Sequence, residues 1–366
     1  MLGRPACLAG LCAGAAAAGG TPAGGAAQTM SAPVELVLSA ERAATLQQQR
    51  GLSSVEDLAR QLCAEVEPRS LPLLSKFRVG VVAIGESGAL YCGVNLEFPP
   101  LPINGDTVHG EQCAAVLAFL SGERRLRAMV TGGGFPCGHC RQFLCELAGV
   151  GSVDFLSARD RTLCHRMDEL LPGGFYPGFV SQAPTQTTKG TTLFGDDEQQ
   201  QALATAVSDE ALLARLVRRE HSSTELPAQP LLVAAARACL ISHAPYTQCL
   251  SGIALQLTSG EVVAGCSLEN VAFNPSMPPM QVALIALLAS LPATSSLSTV
   301  DAFTSTIVHL VLVEGCADAS VGKDTAMPQT SWEERTRNLL AAIAPGAHMD
   351  VFTLSDEAVV GNIAKV

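Results

Sequence analysis

Apolar and polar positions along the chain alternate between helical and extended periods, and the switches are marked by capping residues and glycines. Ser39 opens a helix that Gly51 stops, and Ser53-Ser54-Val55-Glu56 has the form of a capping box for the next. Phe77–Gly85 and Ala89–Glu97 are β-branched and apolar runs around Glu86-Ser87-Gly88, which predicts a hairpin. Asn104-Gly105-Asp106 marks a loop, Val108–Leu120 a helix ended by Gly122, and Leu126–Thr131 a buried strand. A further helix is expected from Cys137 to about Ala148. Residues 184–200 are polar and have the character of a linker. Beyond them come a helix near Leu231–Ser242 and a second hairpin signal.

The second half repeats the first. Gly80, Gly93 and Glu97 correspond to Gly252, Gly265 and Glu269, each displaced by 172 positions, and Ser87-Gly88 matches Ser259-Gly260 at the same offset. A match in register predicts a duplicated fold. The copy differs where chemistry would sit: with a three-residue gap, Val108-His109-Gly110-Glu111-Gln112 faces Met277-Pro278-Pro279-Met280-Gln281. The second half is therefore expected to be a non-catalytic duplicate that serves dimerisation and pocket closure.

The chain has 366 residues, 48% of them hydrophobic and 16% charged, which suits a core-rich globular protein and excludes a disordered one. The net charge is -11, and the basic runs are no longer than Arg124-Arg125 and Arg218-Arg219, the wrong balance for gripping a phosphate backbone. No nucleic-acid partner is expected. No apolar stretch is long enough for a membrane span, so no membrane partner is expected either. Of the 13 cysteines, only Cys137 and Cys140 have ligand spacing; Cys63, Cys92, Cys113, Cys145, Cys239 and Cys266 sit in apolar runs as small core residues of a reducing compartment. Residues 1–30 are rich in Ala and Gly with Arg4 as their one charge. A cytoplasmic location is expected, with organellar import through this leader as the alternative. The expected division is a leader at 1–33, a small N-terminal helical segment at 34–70, a catalytic domain at 71–183, a linker region at 184–229 and a degenerate domain at 230–366.

His109-Gly110-Glu111 followed by Pro136-Cys137-Gly138-His139-Cys140 offers three zinc ligands, His109, Cys137 and Cys140, and a spare carboxylate, Glu111. Two cysteines three positions apart grip one metal from the first turn of a helix, and a catalytic zinc keeps its fourth position for water. H-x-E followed by P-C-x-x-C is the signature of the zinc deaminases. The chain resembles the two-domain, homodimeric cytidine deaminases of bacteria and plants. Carrying this are Leu74-Ser75-Lys76-Phe77-Arg78-Val79-Gly80, Asn95-Leu96-Glu97-Phe98, Val108–Gln112, Leu120–Arg124 and Pro136–Leu144. In the second half His243-Ala244-Pro245-Tyr246 and Asn270-Val271-Ala272-Phe273-Asn274-Pro275 carry it.

The resemblance implies an α/β fold with three α-β-α layers, a mixed sheet flanked by helices, duplicated. It implies one Zn2+ per subunit, a homodimer, and hydrolysis of cytidine and deoxycytidine to uridine, deoxyuridine and ammonia in pyrimidine salvage. It places the proton shuttle on Glu111, ribose contacts on Asn95 and Glu97 with Leu96 between them, and the aromatic packed on the pyrimidine on Phe77. The Gly110 N–H would donate to the pyrimidine O2, and Phe175 with the partner's Ala272 and Phe273 would line the closed pocket. Gly110 stands where the family usually has alanine, and Pro100 lengthens a proline-rich loop.

Deaminating cytosine needs a nucleophile at C4, a proton on N3 and a proton on the departing amine, so the carboxylate that moves protons must stay off the metal. Taken singly, the same residues have plainer readings. A Cys137/Cys140 pair alone equally makes a structural zinc knuckle. Asn95 with Glu97 makes an edge-strand pair, and Phe77 and Phe273 plain core. Two other functions stay open: a deaminase acting on a nucleotide or RNA, and a non-enzymatic zinc scaffold.

Overall fold

In the computed structural model, residues 35–101, 106–177, 207–219, 225–295, 298–316 and 330–355 are described. The leader, Asn104 and Gly105 of the expected loop, and the polar stretch 184–200 lie outside them.

The first half builds a six-stranded mixed sheet in the order β1-β3-β2-β4-β5-β6. Its strands are β1 (Val37–Leu38), β2 (Gly80–Gly85), β3 (Leu90–Val94), β4 (Leu126–Thr131), β5 (Asp154–Ser157) and β6 (Cys164–His165). The expected hairpin is present but shorter at both open ends, pairing Gly80 with Val94 through Ile84 with Leu90. Pairing stops there because Asn95 and Glu97 turn their side chains to the 71–79 segment. β4 and β5 run parallel, joined by α4 (Gly138–Leu144). Every residue of β2 and β3 is buried, as in a sheet covered on both faces.

Helices α1 (Ala40–Gln49) and α2 (Val55–Val66) start at Ser39 and Ser54, whose side chains accept from Arg42 N–H and Asp57 N–H. This N-terminal segment is integral to the sheet. β1 pairs with β3, and α2 lies so close to β2 that a Cβ on Gly80 would fall 1.9 Å from the Cys63 carbonyl oxygen. α3 (Gly110–Leu120) packs against β3 in the same way: a Cβ on Gly93 would meet Gly110 O at 2.2 Å and Ala114 N at 2.3 Å. Only glycine permits such approaches.

The second half repeats this plan. Among the described residues its strands are β7 (Leu216–Arg218), β8 (Cys249–Leu257), β9 (Val262–Cys266), β10 (Ile307–Cys316) and β11 (His348–Leu354), in the order β7-β11-β10-β8-β9. α6 (Asp209–Leu213) precedes β7; α5 is Met167–Leu170 in the first half. α7 (Gln229–Leu240) and α8 (Pro279–Ser290) take the places of α2 and α3, α9 is Val300–Thr304, and α10 (Glu333–Ile343) joins the parallel pair β10–β11. Gly252 is pressed on α7 (Cβ to Cys239 N, 2.1 Å) and Gly265 on α8 (Cβ to Ala283 N, 2.2 Å). The non-glycine residues Lys76 and Gln248, also 172 apart, share φ of 57° and 58°. The repeat therefore reaches upstream to α2 and α7, further than the glycine and glutamate pairs mark.

The two copies meet along α3 and α8. Arg69, 5% exposed, donates from Nη2 to Leu288 O (2.9 Å) and Leu291 O (3.2 Å), the carbonyl end of α8. Asp106 binds Arg335 at 3.0 Å across the same boundary. Helix α3 is buried from Gly110 to Phe119 because it touches a sheet on one side and α8 on the other.

Candidate active site

His109 and Cys137 occupy the N-cap positions of α3 and α4. α3 thus begins two residues later than its apolar pattern marks, because Val108 pairs with Leu96 instead (N–H to O, 2.9 Å in each direction). α4 ends at Leu144, short of Ala148, where the chain turns through Cys145 and Glu146. His109, Cys137 and Cys140 each present a donor atom, all within 4.8 Å of one another; this is the one such His/Cys/Asp/Glu cluster among the described residues. Cys137 Sγ lies 3.6 Å from His109 Nδ1. Ligands about 2.3 and 2.0 Å from a tetrahedral zinc would be separated by about 3.5 Å, so the donor set and its spacing fit that metal.

Charge is distributed accordingly. Hydrogen bonds from Cys140 and His109 bring the Cys137 thiol down to about 3. Cys140 is raised by its hydrogen bond to Cys137 and by burial. The Cys137 hydrogen bond raises His109. The core thiols contrast with this: burial pushes Cys63 and Cys113 up to about 12. Glu111 stands one residue into α3, buried, with Oε2 accepting from Cys140 Sγ at 3.5 Å. Burial raises its carboxyl, which suits a group that must both take and release a proton.

Two residues that the motif does not flag hold this frame. Gln112 accepts the His109 N–H (3.1 Å) and reaches His139 Nε2 at 3.2 Å, so His139 supports the cluster from beside it. Arg141 bonds Pro136 O and Leu170 O, both at 2.6 Å, clamping the loop that delivers Cys137. In sequence a glutamine or arginine at such positions is indistinguishable from surface residues.

Asn95 and Glu97 are buried and already engaged. Asn95 accepts from Val79 N–H (3.0 Å) and donates to Phe77 O (2.9 Å). Glu97 accepts from Leu74 N–H (2.6 Å), Ser75 N–H (2.9 Å) and Ser75 Oγ (2.5 Å). Burial pushes the Glu97 carboxyl up, but the Ser75 and Leu74 donors outweigh it and hold it below its ordinary 4.5. Glu269 accepts from Tyr246 N–H, Thr247 N–H and Thr247 Oγ1 in the same pattern, with no ligand cluster beside it among the described residues. Folding the 71–79 segment is therefore a sufficient reason for Glu97. A carboxylate has about four lone-pair sites, which leaves Glu97 one for a ligand. Leu96 is fully buried and spaces the two polar residues.

A methyl on Gly110 would be crowded: its Cβ would lie 2.9 Å from Val81 Cγ2 and 3.3 Å from Val79 Cγ1. The aromatic residues are not core. Phe77 is 53% exposed and its ring lies over Gly133, in the loop before Cys137 (3.2 Å to a Cβ built there). Phe175, 46% exposed, is held by Gln142 on α4 through bonds of 2.7 and 3.2 Å. Phe273, 58% exposed, follows the half-buried Ala272 in a turn whose Asn270 also bonds to α4. All three aromatics therefore connect to residues 133–143. An apolar cavity of about 410 Å3 lies at the opposite end of α3, lined by Leu117, Leu120, Ala286 and Ala289, and holds none of these groups.

Family models described as the cytidine and deoxycytidylate deaminase zinc-binding region match residues 53–156 and 168–326. Two such regions in one chain, over two sheets that share the order of four strands (β3-β2-β4-β5 and β9-β8-β10-β11), define a zinc-dependent deaminase of α/β architecture. A cytidine deaminase of Vibrio atlanticus is 39% identical over 254 residues, 69% of this chain and 74% of its own. One from Yersinia pestis is 37% identical over 250 residues, 68% and 73% of the two chains. The chain belongs to the cytidine deaminase family. Among solved structures, the cytidine deaminase of Mycobacterium tuberculosis covers 33% of this chain and 96% of its own at 26% identity, with a TM-score of 0.30. No helix among the described residues is long and apolar enough to cross a membrane.

Proposed function

We propose that the protein deaminates cytidine and deoxycytidine hydrolytically, giving uridine, deoxyuridine and ammonia, with one zinc per chain held by His109, Cys137 and Cys140. The observation that carries this reading is the convergence of those three donors within 4.8 Å, with Glu111 buried at their side and outside the set. Held by these residues, zinc would supply the nucleophile by lowering the pKa of water from its bulk value toward neutrality. Glu111 would take one proton of the attacking water, deliver it to N3 and carry the water's second proton to the departing amine. The starts of α3 and α4 direct their positive dipole ends at the thiolates.

Asn95 and Glu97 orient the ribose, Glu97 through its remaining lone pair. Holding a remote part of the substrate in this way contributes several kcal/mol to the rate by fixing the base over the nucleophile. Phe77 packs on the ring, the Gly110 N–H faces the pyrimidine O2, and Phe175 closes one wall. We further take the active form to be a homodimer in the cytoplasm, serving pyrimidine salvage, with Ala272 and Phe273 completing the partner's pocket. The catalytic unit is taken as 71–183, supported by α2, and the degenerate one as 230–366. The acidic balance of the chain supports a nucleoside over a nucleotide or RNA. Assaying cytidine, deoxycytidine, cytidine monophosphate and single-stranded RNA side by side tests this: comparable turnover of the phosphorylated substrates would overturn the choice.

A further inference from the structure

Glu146 lies just beyond the end of α4 and has 0% exposure. An enclosed carboxylate is costly unless its oxygens are used, and here they are. Tyr246 Oη donates to Oε1 at 2.6 Å, His243 Nε2 lies 3.1 Å from the same oxygen, and Val271 N–H donates to Oε2 at 3.0 Å. All three partners come from the second copy. At the equivalent positions of the first copy stand Leu71 and Leu74, so the His243/Tyr246 pair is not a property of the repeat itself.

Next to this node, Asn270 donates from Nδ2 to Gln142 O (2.9 Å) and Phe143 O (3.3 Å), the carbonyl end of the helix that begins at Cys137. Its Oδ1 accepts from Ala272 N–H (3.0 Å), and its carbonyl accepts from Phe273 N–H (2.7 Å). Phe273 is thereby held at φ 57°, with its ring edge-on to Tyr246 at 6.1 Å. A bulky residue stays in the left-handed region only where its surroundings over-determine it, and such strain concentrates at functional sites.

We propose that Glu146 is a positioning residue for the pocket. With His243 and Tyr246 it fixes the Asn270–Phe273 turn against α4 of its own chain, so that the copy without metal ligands presents Ala272 and Phe273 in a set shape to the partner subunit's site. This rests on the deaminase reading above. Contacts made by Ala272 and Phe273 are the same in ground and transition states, so loosening them raises KM and leaves kcat nearly intact.

The test uses the full zinc-loaded chain. In Glu146→Gln an amide presents one acceptor where the carboxylate has two, so one donor is left facing an NH2 group. The expected result is a KM for cytidine raised about tenfold with kcat within about threefold, one zinc retained, and amide exchange accelerated at Val271–Phe273. Tyr246→Phe, which keeps the carboxylate, should raise KM by about threefold, and the double variant should be no worse than Glu146→Gln alone. A lowered Tm with unchanged KM in both variants would overturn the proposal and leave a plain tie between the copies. Loss of zinc in Glu146→Gln would also overturn it. A wild-type chain inactive on cytidine overturns the deaminase reading and this assignment with it, and is seen before any variant is made.

Discussion

Gly110→Ala adds a single methyl group and should nevertheless harm this protein. The new Cβ would lie 2.9 Å from Val81 Cγ2 and 3.3 Å from Val79 Cγ1, below ordinary contact. Val81 is fully buried and stiff at χ1, so it cannot swing aside, and α3 has to move instead by roughly half an ångström. Overpacking of this kind costs about 1–3 kcal/mol, and the better helix propensity of alanine returns about 1 kcal/mol, leaving a net loss of about 1 kcal/mol. The shift falls on the helix start that carries His109 and Glu111. Since a misplacement of about 1 Å can cost about a hundredfold, half of that should lower kcat by about tenfold. Thermal unfolding and steady-state deamination of Gly110→Ala, Val81→Ala and the double variant measure both effects. The double variant should recover activity beyond additivity, because removing the Val81 methyls makes the space. A Gly110→Ala chain as stable and active as wild type would refute the packing argument.

Glu111→Gln should retain zinc by metal analysis and lose at least about a hundredfold in turnover; retained activity would remove Glu111 as the proton carrier. Cys137→Ala should bind less than stoichiometric zinc, read by metal content of the dialysed protein. Gly133→Val should push the Phe77 ring away and raise KM with little change in Tm, since Gly133 and Gly134 are exposed. The Glu97 carboxyl is held below its ordinary 4.5, so it binds fewer protons folded than unfolded. The stability gap between wild type and Glu97→Gln should therefore be full above about pH 4.5 and shrink as acid protonates the folded carboxyl. Denaturant melts at several pH values measure that gap.

The sequence revealed most where one residue type answers one physical demand. The glycine pairs 80/252 and 93/265 marked the duplication because a Cβ at any of them would fall about 2 Å from helix backbone, which leaves no alternative. Cysteines three apart, with His109 and Glu111 two apart, marked the cluster because few other chemistries use that spacing. Helix ends were less legible: Val108 has a helical pattern yet pairs with Leu96, and α4 stops at Leu144 to bring Glu146 under the second copy. Gln112, Arg141 and Glu146 were invisible because their roles depend on which backbone groups lie opposite, and tertiary contact decides that. The structural role of Glu97 emerged only when Glu269 made the same three bonds with no metal-ligand cluster beside it among the described residues.

The central claim is that His109, Cys137, Cys140 and Glu111 form one hydrolytic centre acting on cytidine. Absorbance loss on mixing the purified chain with cytidine, repeated after zinc removal and with Glu111→Gln, tests it most directly. The account predicts a loss that needs zinc, returns when zinc is restored and is absent in Glu111→Gln. A fully zinc-loaded wild-type chain that leaves cytidine unchanged would contradict it.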